Sequence, residues 1–217
     1  MINLINKELI LVRKSLYIFT LILAVCVYIV YKASKFNNLG YGFIVLFMGY
    51  LSFLIMERYK KRKNDYMIIN SLPVHRNLVV LSNYLMMIIY TLFFYLVMAV
   101  ETLLLKVIGI KGYNLTSPWV LIVPLSCLLI YFAIINPFEI KESKFIESVK
   151  LVTYILLFLI PQIIKKISET VIGGKIIGFL TRPDLIYTIM TAFFIVGLVS
   201  YTISYLVSLK LYRNFDF

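Results

Sequence analysis

Few residues in this chain could carry chemistry, and their spacing limits them further. A single histidine, His75, stands two residues after Pro73. One imidazole cannot build a multi-histidine metal site, so His75 reads as a polar turn residue. Cys26 and Cys127 each lie inside a long apolar run, where a thiol behaves as a small buried hydrophobe and not as half of a disulfide or a metal ligand. The one glycine-rich stretch beside a lysine is Gly173-Gly174-Lys175. It lacks the following Ser or Thr and the earlier glycine that a phosphate-cradling loop needs. The expectation is a chain with no catalytic residue, no metal and no cofactor of its own, which does not hydrolyse ATP by itself.

Two polar features remain. Glu101 sits late in an apolar run, 23 residues after Leu78, or about 35 Å along a helix. Two readings stay open for it: an interfacial carboxylate, hydrated or paired with Lys106, or a group facing a substrate path. No second acid or base inside the runs suggests a proton relay. The other feature is the connection Glu57 to Asn77, ERYKKRKNDYMIINSLPVHRN. Arg58 to Lys63 form a basic cluster suited to anionic headgroups. Asp65 to Leu72 can make about two helical turns, with Tyr66, Ile69 and Asn70 on one face and Met67 beside it. Pro73 then allows an extended bend. Read as function, this is a handle for a soluble partner; read blandly, it is a solvated loop that sets orientation.

The elements that hold these residues are apolar runs. The 217 residues are 62% hydrophobic, well above the half expected of a soluble domain, and the excess comes in blocks. The expected spans are 15–31, 40–56, 78–105, 118–135, 149–164 and 185–209. No cleavable signal peptide is evident. The 22 basic and 10 acidic residues leave a net charge of +12, which in a soluble chain would suggest nucleic acid. Here the cations flank the runs. Fourteen fall on the side of the termini and eight on the other, which places both termini in the cytoplasm. Abundant Ile, Lys, Asn and Tyr fit an AT-rich bacterial genome, hence a bacterial cytoplasmic membrane.

Residues 2–14 put Ile2, Ile5, Leu9 and Val12 on one face, which describes an interfacial helix or an extension of the first span. Residues 162–183 are too polar to cross and are interrupted at Gly173-Gly174. They read as two short outer helices or as an ordinary outer loop. Small residues recur at Gly197, Ser200, Ser204 and Ser208, and at Gly42, Gly49 and Ser52, a spacing that suits close helix contact within the chain or between copies.

The stretch Asn70-Ser71-Leu72-Pro73-Val74-His75-Arg76, the following Val79-Val80-Leu81-Ser82-Asn83-Tyr84-Leu85 and the ending Leu211 to Asp216 resemble ABC exporter permeases of the type-two class. The layout of the whole chain is similar to that family. It departs at His75, where a small polar residue is usual, and at Asn83, where a lysine is common. The resemblance implies a permease dimer, homo- or heteromeric, resting on two copies of a separate ATPase subunit that carries ATP-Mg. It implies that the loop helix is a coupling helix, so that Asp65, Tyr66, Met67, Ile69, Asn70 and Leu72 contact the ATPase. Small members of this kind in Gram-positive bacteria include phenol-soluble modulin exporters and peptide-immunity permeases.

The reading is an all-α polytopic membrane protein, one permease domain over 1–217 with six spans. It would export a hydrophobic or amphipathic substrate, a peptide. The rival is a non-transporting membrane sensor or assembly scaffold.

Overall fold

The computed structural model describes residues 2–32, 37–62, 76–110, 119–139, 144–168, 170 and 183–213. These form six α-helices and, among the described residues, no strand. They are α1 (Ile2–Lys32), α2 (Asn37–Arg62), α3 (Arg76–Val107), α4 (Trp119–Glu139), α5 (Lys144–Ser168) and α6 (Pro183–Arg213). A helix is the local answer to hydrocarbon, because it bonds every interior backbone N–H and C=O within one segment. Five stretches are long and apolar enough to cross a membrane: Asn3–Lys32, Gly40–Lys60, Asn77–Val107, Trp119–Glu139 and Tyr187–Tyr212. The chain is a multi-pass, all-α membrane protein. The remaining expected span, 149–164, lies within α5, which is helical but is not among those five.

One expectation needs correction. Residues 2–14 are not a separate interfacial helix, because α1 runs unbroken from Ile2 to Lys32. No glycine or proline interrupts it, and Val12 is fully buried, so this segment is part of the bundle. Likewise α2 continues past Met56 to Arg62, which makes the start of the basic cluster helical. The segment Asp65–Leu72 lies outside the described residues, as does the Gly173-Gly174 interruption. Of the expected outer segment, residues 162–168 continue α5, and Pro183 opens α6, where its missing N–H costs nothing.

α1, α2 and α3 pack on one another, α4 packs on α2 and most extensively on α6, and α3 also meets α6. α5 lies at the edge beside α4. Two apolar clusters fill the interior. One gathers Phe53, Met56, Met86, Met87, Tyr90 and Phe132. The other gathers Leu23, Val27, Tyr41, Val45, Phe94 and Met98. The outer faces of α1, α5 and α6 stay apolar and exposed, as at Leu21, Phe158 and Leu206, which is the surface that lipid covers.

Small residues set how closely the helices approach. Gly197 lies against Ser126 and Leu129 of α4, while Ser204 and Ser208 are buried toward α3. The small-residue stripe of α6 is therefore used inside the chain. Gly49 of α2 is tighter: a Cβ there would stand 3.2 Å from both Leu128 Cδ1 and Thr91 Oγ1. Gly49→Leu is expected to lower stability by about 1–3 kcal/mol through overpacking, read as a lower thermal midpoint in detergent. Gly197→Ala, whose nearest neighbours would be at 3.4–3.5 Å, should leave the midpoint close to wild type.

Candidate functional site: a buried polar belt at one end of the bundle

The last turns of α2 carry Glu57 and Lys60, three residues apart and so on one helical face. They do not pair with each other. Lys60 Nζ donates to Glu8 Oε1 of α1 and to Asn83 Oδ1 of α3, both at 2.5 Å. Ser82 of α3 lies 3.4 Å from the same Glu8 oxygen. Glu57 turns the other way and accepts from Lys150 of α5, whose ammonium also binds Glu139 at the end of α4. These charges are deep: Glu8 and Lys60 are each 3% exposed, Glu57 5% and Lys150 8%.

A second set of polar bonds, made by hydroxyls, lies near these charges. Tyr50 of α2 donates to the backbone carbonyl of Lys150 at 2.8 Å, which leaves Tyr131 of α4 as the donor in their 3.2 Å contact. The Tyr84 hydroxyl of α3 lies 2.7 Å from both Ser204 and Ser208 of α6, and Tyr201 donates to the Tyr84 carbonyl at 2.7 Å. Every helix is thereby tied to another by a polar bond at the same end of the bundle. That end holds the starts of α1, α3 and α5 and the finishes of α2, α4 and α6, so the helices alternate in direction. At the opposite end, Tyr31 late in α1 bonds the Ile110 carbonyl just beyond α3 at 3.3 Å.

Charge balance separates the two clusters. Glu8 and Lys60 cancel. Glu57 and Glu139 share one ammonium, so formally the trio carries one excess negative charge. Burying any of these ions costs several kcal/mol, repaid only when geometry and hydrogen bonding are good. The clusters also flank the connection 63–75, since Lys60 precedes it, Asn83 follows it, and the two side chains are bonded across it. Asn83 suits that place because its oxygen accepts from Lys60, whereas a lysine there would oppose a second ammonium.

Sequence reasoning missed most of this belt. It assigned Lys60 to a headgroup-facing cluster; the structure buries it on Glu8, while Arg58 alone of the pair stays exposed. Two signals existed. Glu8 falls on the same helical face as Ile5 and Val12, and Lys150 begins an apolar run with a cation. The proposed coupling residues Asp65, Tyr66, Met67, Ile69, Asn70 and Leu72 lie outside the described residues. Glu101 is 18 residues beyond Asn83 on α3, about 27 Å from the belt, and half-buried. Among the described residues it makes no ion pair with Lys106, and its Oε2 is buried without a hydrogen-bond partner. Cys26 and Cys127 are free thiols, both part-buried. Among the described residues no group of three His, Cys, Asp or Glu could hold a metal ion.

A bundle of alternating membrane helices with a polar belt at one end suits a transport component. Residues 3–213 match the ABC-2 family transporter protein family, and the chain belongs to it. It is a membrane permease component of an ABC transporter, which implies a partner ATPase subunit. No curated protein and no solved structure matches the chain.

The belt predicts an asymmetry between substitutions. Lys150→Met leaves Glu57 and Glu139 facing each other and should cost about 3–5 kcal/mol. Adding Glu57→Gln and Glu139→Gln to it removes both buried charges and should recover most of that loss. Thermal unfolding in detergent of the single and triple variants measures the difference, and equal midpoints would contradict the shared-lysine geometry.

Proposed function

We propose that this chain is the permease subunit of an ATP-driven exporter in a bacterial cytoplasmic membrane. Two permease chains, identical or paired with a relative, form the path, and two copies of a separate ATPase carry ATP-Mg beneath them. Both termini and the connection 63–75 face the cytoplasm, and α5 completes six spans. The reading rests on the family match over 3–213 together with the position of that connection: its stems are joined through Lys60 and Asn83, and Lys60 also reaches α1 through Glu8. The helix ends on either side of the segment Asp65–Leu72 are therefore linked to each other and to α1.

The substrate in this reading is amphipathic, a peptide. A cleft of about 630 Å³ between α2 and α5 supports it. Its wall is Leu51, Leu54, Ile55, Leu151 and Tyr154, and its rim toward the belt is Glu57, Arg58, Glu147 and Lys150. A molecule with one apolar and one charged side fits that division. Glu101, at the other end, is the candidate polar group on the exit side.

Orientation and coupling are tested separately. With Cys26 and Cys127 replaced, Lys61→Cys should resist an impermeant thiol reagent in intact cells and react after lysis. Labelling in intact cells overturns the topology. Tyr66→Asp with Ile69→Asp should leave expression and membrane insertion unchanged but abolish co-purification with the ATPase, or separate ATP hydrolysis from export. The apolar groups involved are worth at most about 1.5–3 kcal/mol each when buried against a partner. Normal export by that double variant, or the lack of any stimulated ATPase partner, favours the sensor or scaffold reading instead.

A further inference from the structure

Three polar atoms between α1, α2 and α3 are buried and make no hydrogen bond among the described residues: Glu8 Oε2, Ser52 Oγ and the Tyr90 hydroxyl. Ser52 is 0% and Tyr90 1% exposed, and Lys60 binds only the other oxygen of Glu8. A polar atom left alone in an apolar interior costs more than an ordinary hydrogen bond returns, so native folds rarely keep one. Ser52 had a local way out. Thr91, Ser126 and Thr153 each donate to the carbonyl four residues back, and Ser52 does not close onto its own helix in this way.

The three groups share one compartment. Gly49 of α2 stands against Thr91 of α3. These helices run in opposite directions, so Ser52, one turn nearer the belt, is level with the residues just before Tyr90. A helical side chain leans toward the N-terminus of its helix, and α3 starts at the belt, so the Tyr90 ring leans to that same level. Its hydroxyl lies within electrostatic reach of the Glu8 carboxylate. Val12, one turn beyond Glu8 on α1, belongs to the same apolar cluster as Tyr90.

Charge and hydrogen-bonding capacity define the occupant. Glu8 and Lys60 cancel, and both hydroxyls are neutral, so a cation would meet the Lys60 ammonium with no spare negative charge to hold it. The Glu8 oxygen only accepts, whereas each hydroxyl can donate and accept. The fitting ligand is neutral, small, and able to do both. We propose that a short file of water molecules fills this compartment, donating to Glu8 Oε2 and joining it to Tyr90 and Ser52. Buried waters make about three hydrogen bonds each, and three groups on three helices supply them. The file carries the polar belt inward along α3 from Asn83 to Tyr90, about 10 Å. It makes no claim about transport and would stand if this chain moved nothing.

The test uses the full chain in lipid bilayers or nanodiscs. Tyr90→Phe and Ser52→Ala each remove one hydroxyl and little else. If the hydroxyl were dry, its removal would relieve an unpaired polar group and raise the thermal midpoint. If it holds water, each variant should lower the midpoint by about 2–4 °C, the usual effect of one lost hydrogen bond at this chain length. The double variant should lower it by less than the sum, because the two hydroxyls share the same waters without bonding each other. In water-edited solid-state NMR of the isotope-labelled wild type, Tyr90 Cζ and Glu8 Cδ should receive magnetisation from water protons, and the ring of Phe94 should not. An unchanged or raised midpoint in either single variant overturns the proposal, as do additive shifts. A lowered midpoint without transfer from water assigns the hydroxyl to a direct protein partner and also overturns it. Replacing sodium and potassium by choline at constant ionic strength should leave the wild-type midpoint unchanged; a fall would assign the compartment to a metal cation and overturn the water file.

Discussion

In hydrocarbon, apolar faces gain nothing by leaving lipid for one another, so something other than the hydrophobic effect must decide which helix touches which. Here two buried lysines do much of that. Lys60 gathers the start of α1, the end of α2 and the start of α3, and Lys150 gathers α2, α4 and α5. α2 supplies a partner to both clusters, Lys60 to one and Glu57 to the other, and its last two turns are the pivot of the arrangement. The hydroxyls near them add α6 through Tyr84.

Close packing completes what the polar bonds begin. Where α2 passes between α3 and α4, Gly49 brings the backbone against Thr91 and Leu128. Within α4, Pro124 and Pro137 remove two backbone donors, and Ser126 bonds the Ile122 carbonyl nearby at 2.6 Å. α5 is the exception. It is held at its start by Lys150 and the Tyr50 hydroxyl and along its length by the Phe47–Tyr154 stack, and most of its surface is exposed apolar side chain. The amphipathic cleft lies on its α2 side.

Among the described residues, this arrangement gathers the buried ion pairs at the end of the bundle that holds the start of α1. Buried ion pairs add little net stability compared with apolar replacements, because desolvation offsets the attraction. Their effect here is on geometry: each has few alternative partners, so displacement of one helix end must carry the others or break a buried pair.

The sequence by itself determined a great deal. The length of the apolar runs and the cations at their ends were enough for an all-α membrane protein. These properties are local, since a run of apolar residues must be helical in lipid whatever its neighbours are. Spans 40–56, 78–105 and 185–209 each fall inside a helix of the structure for that reason, and the span expected over 118–135 is helical from Trp119 onward. What the sequence left open is every question of partnership. Lys60 sits in a run of cations and reads as one of them, and only the approach of Glu8, 52 residues earlier, makes it a buried ion. Residues 2–14 read as an interfacial helix, and the structure instead continues them without a break into the first span. The stripe at Gly197, Ser204 and Ser208 could have faced a second copy, and Tyr84, more than a hundred residues away, decides that it faces inward. A charge or a small residue acquires its role from what comes within about 3 Å of it, and those neighbours are chosen by the tertiary structure.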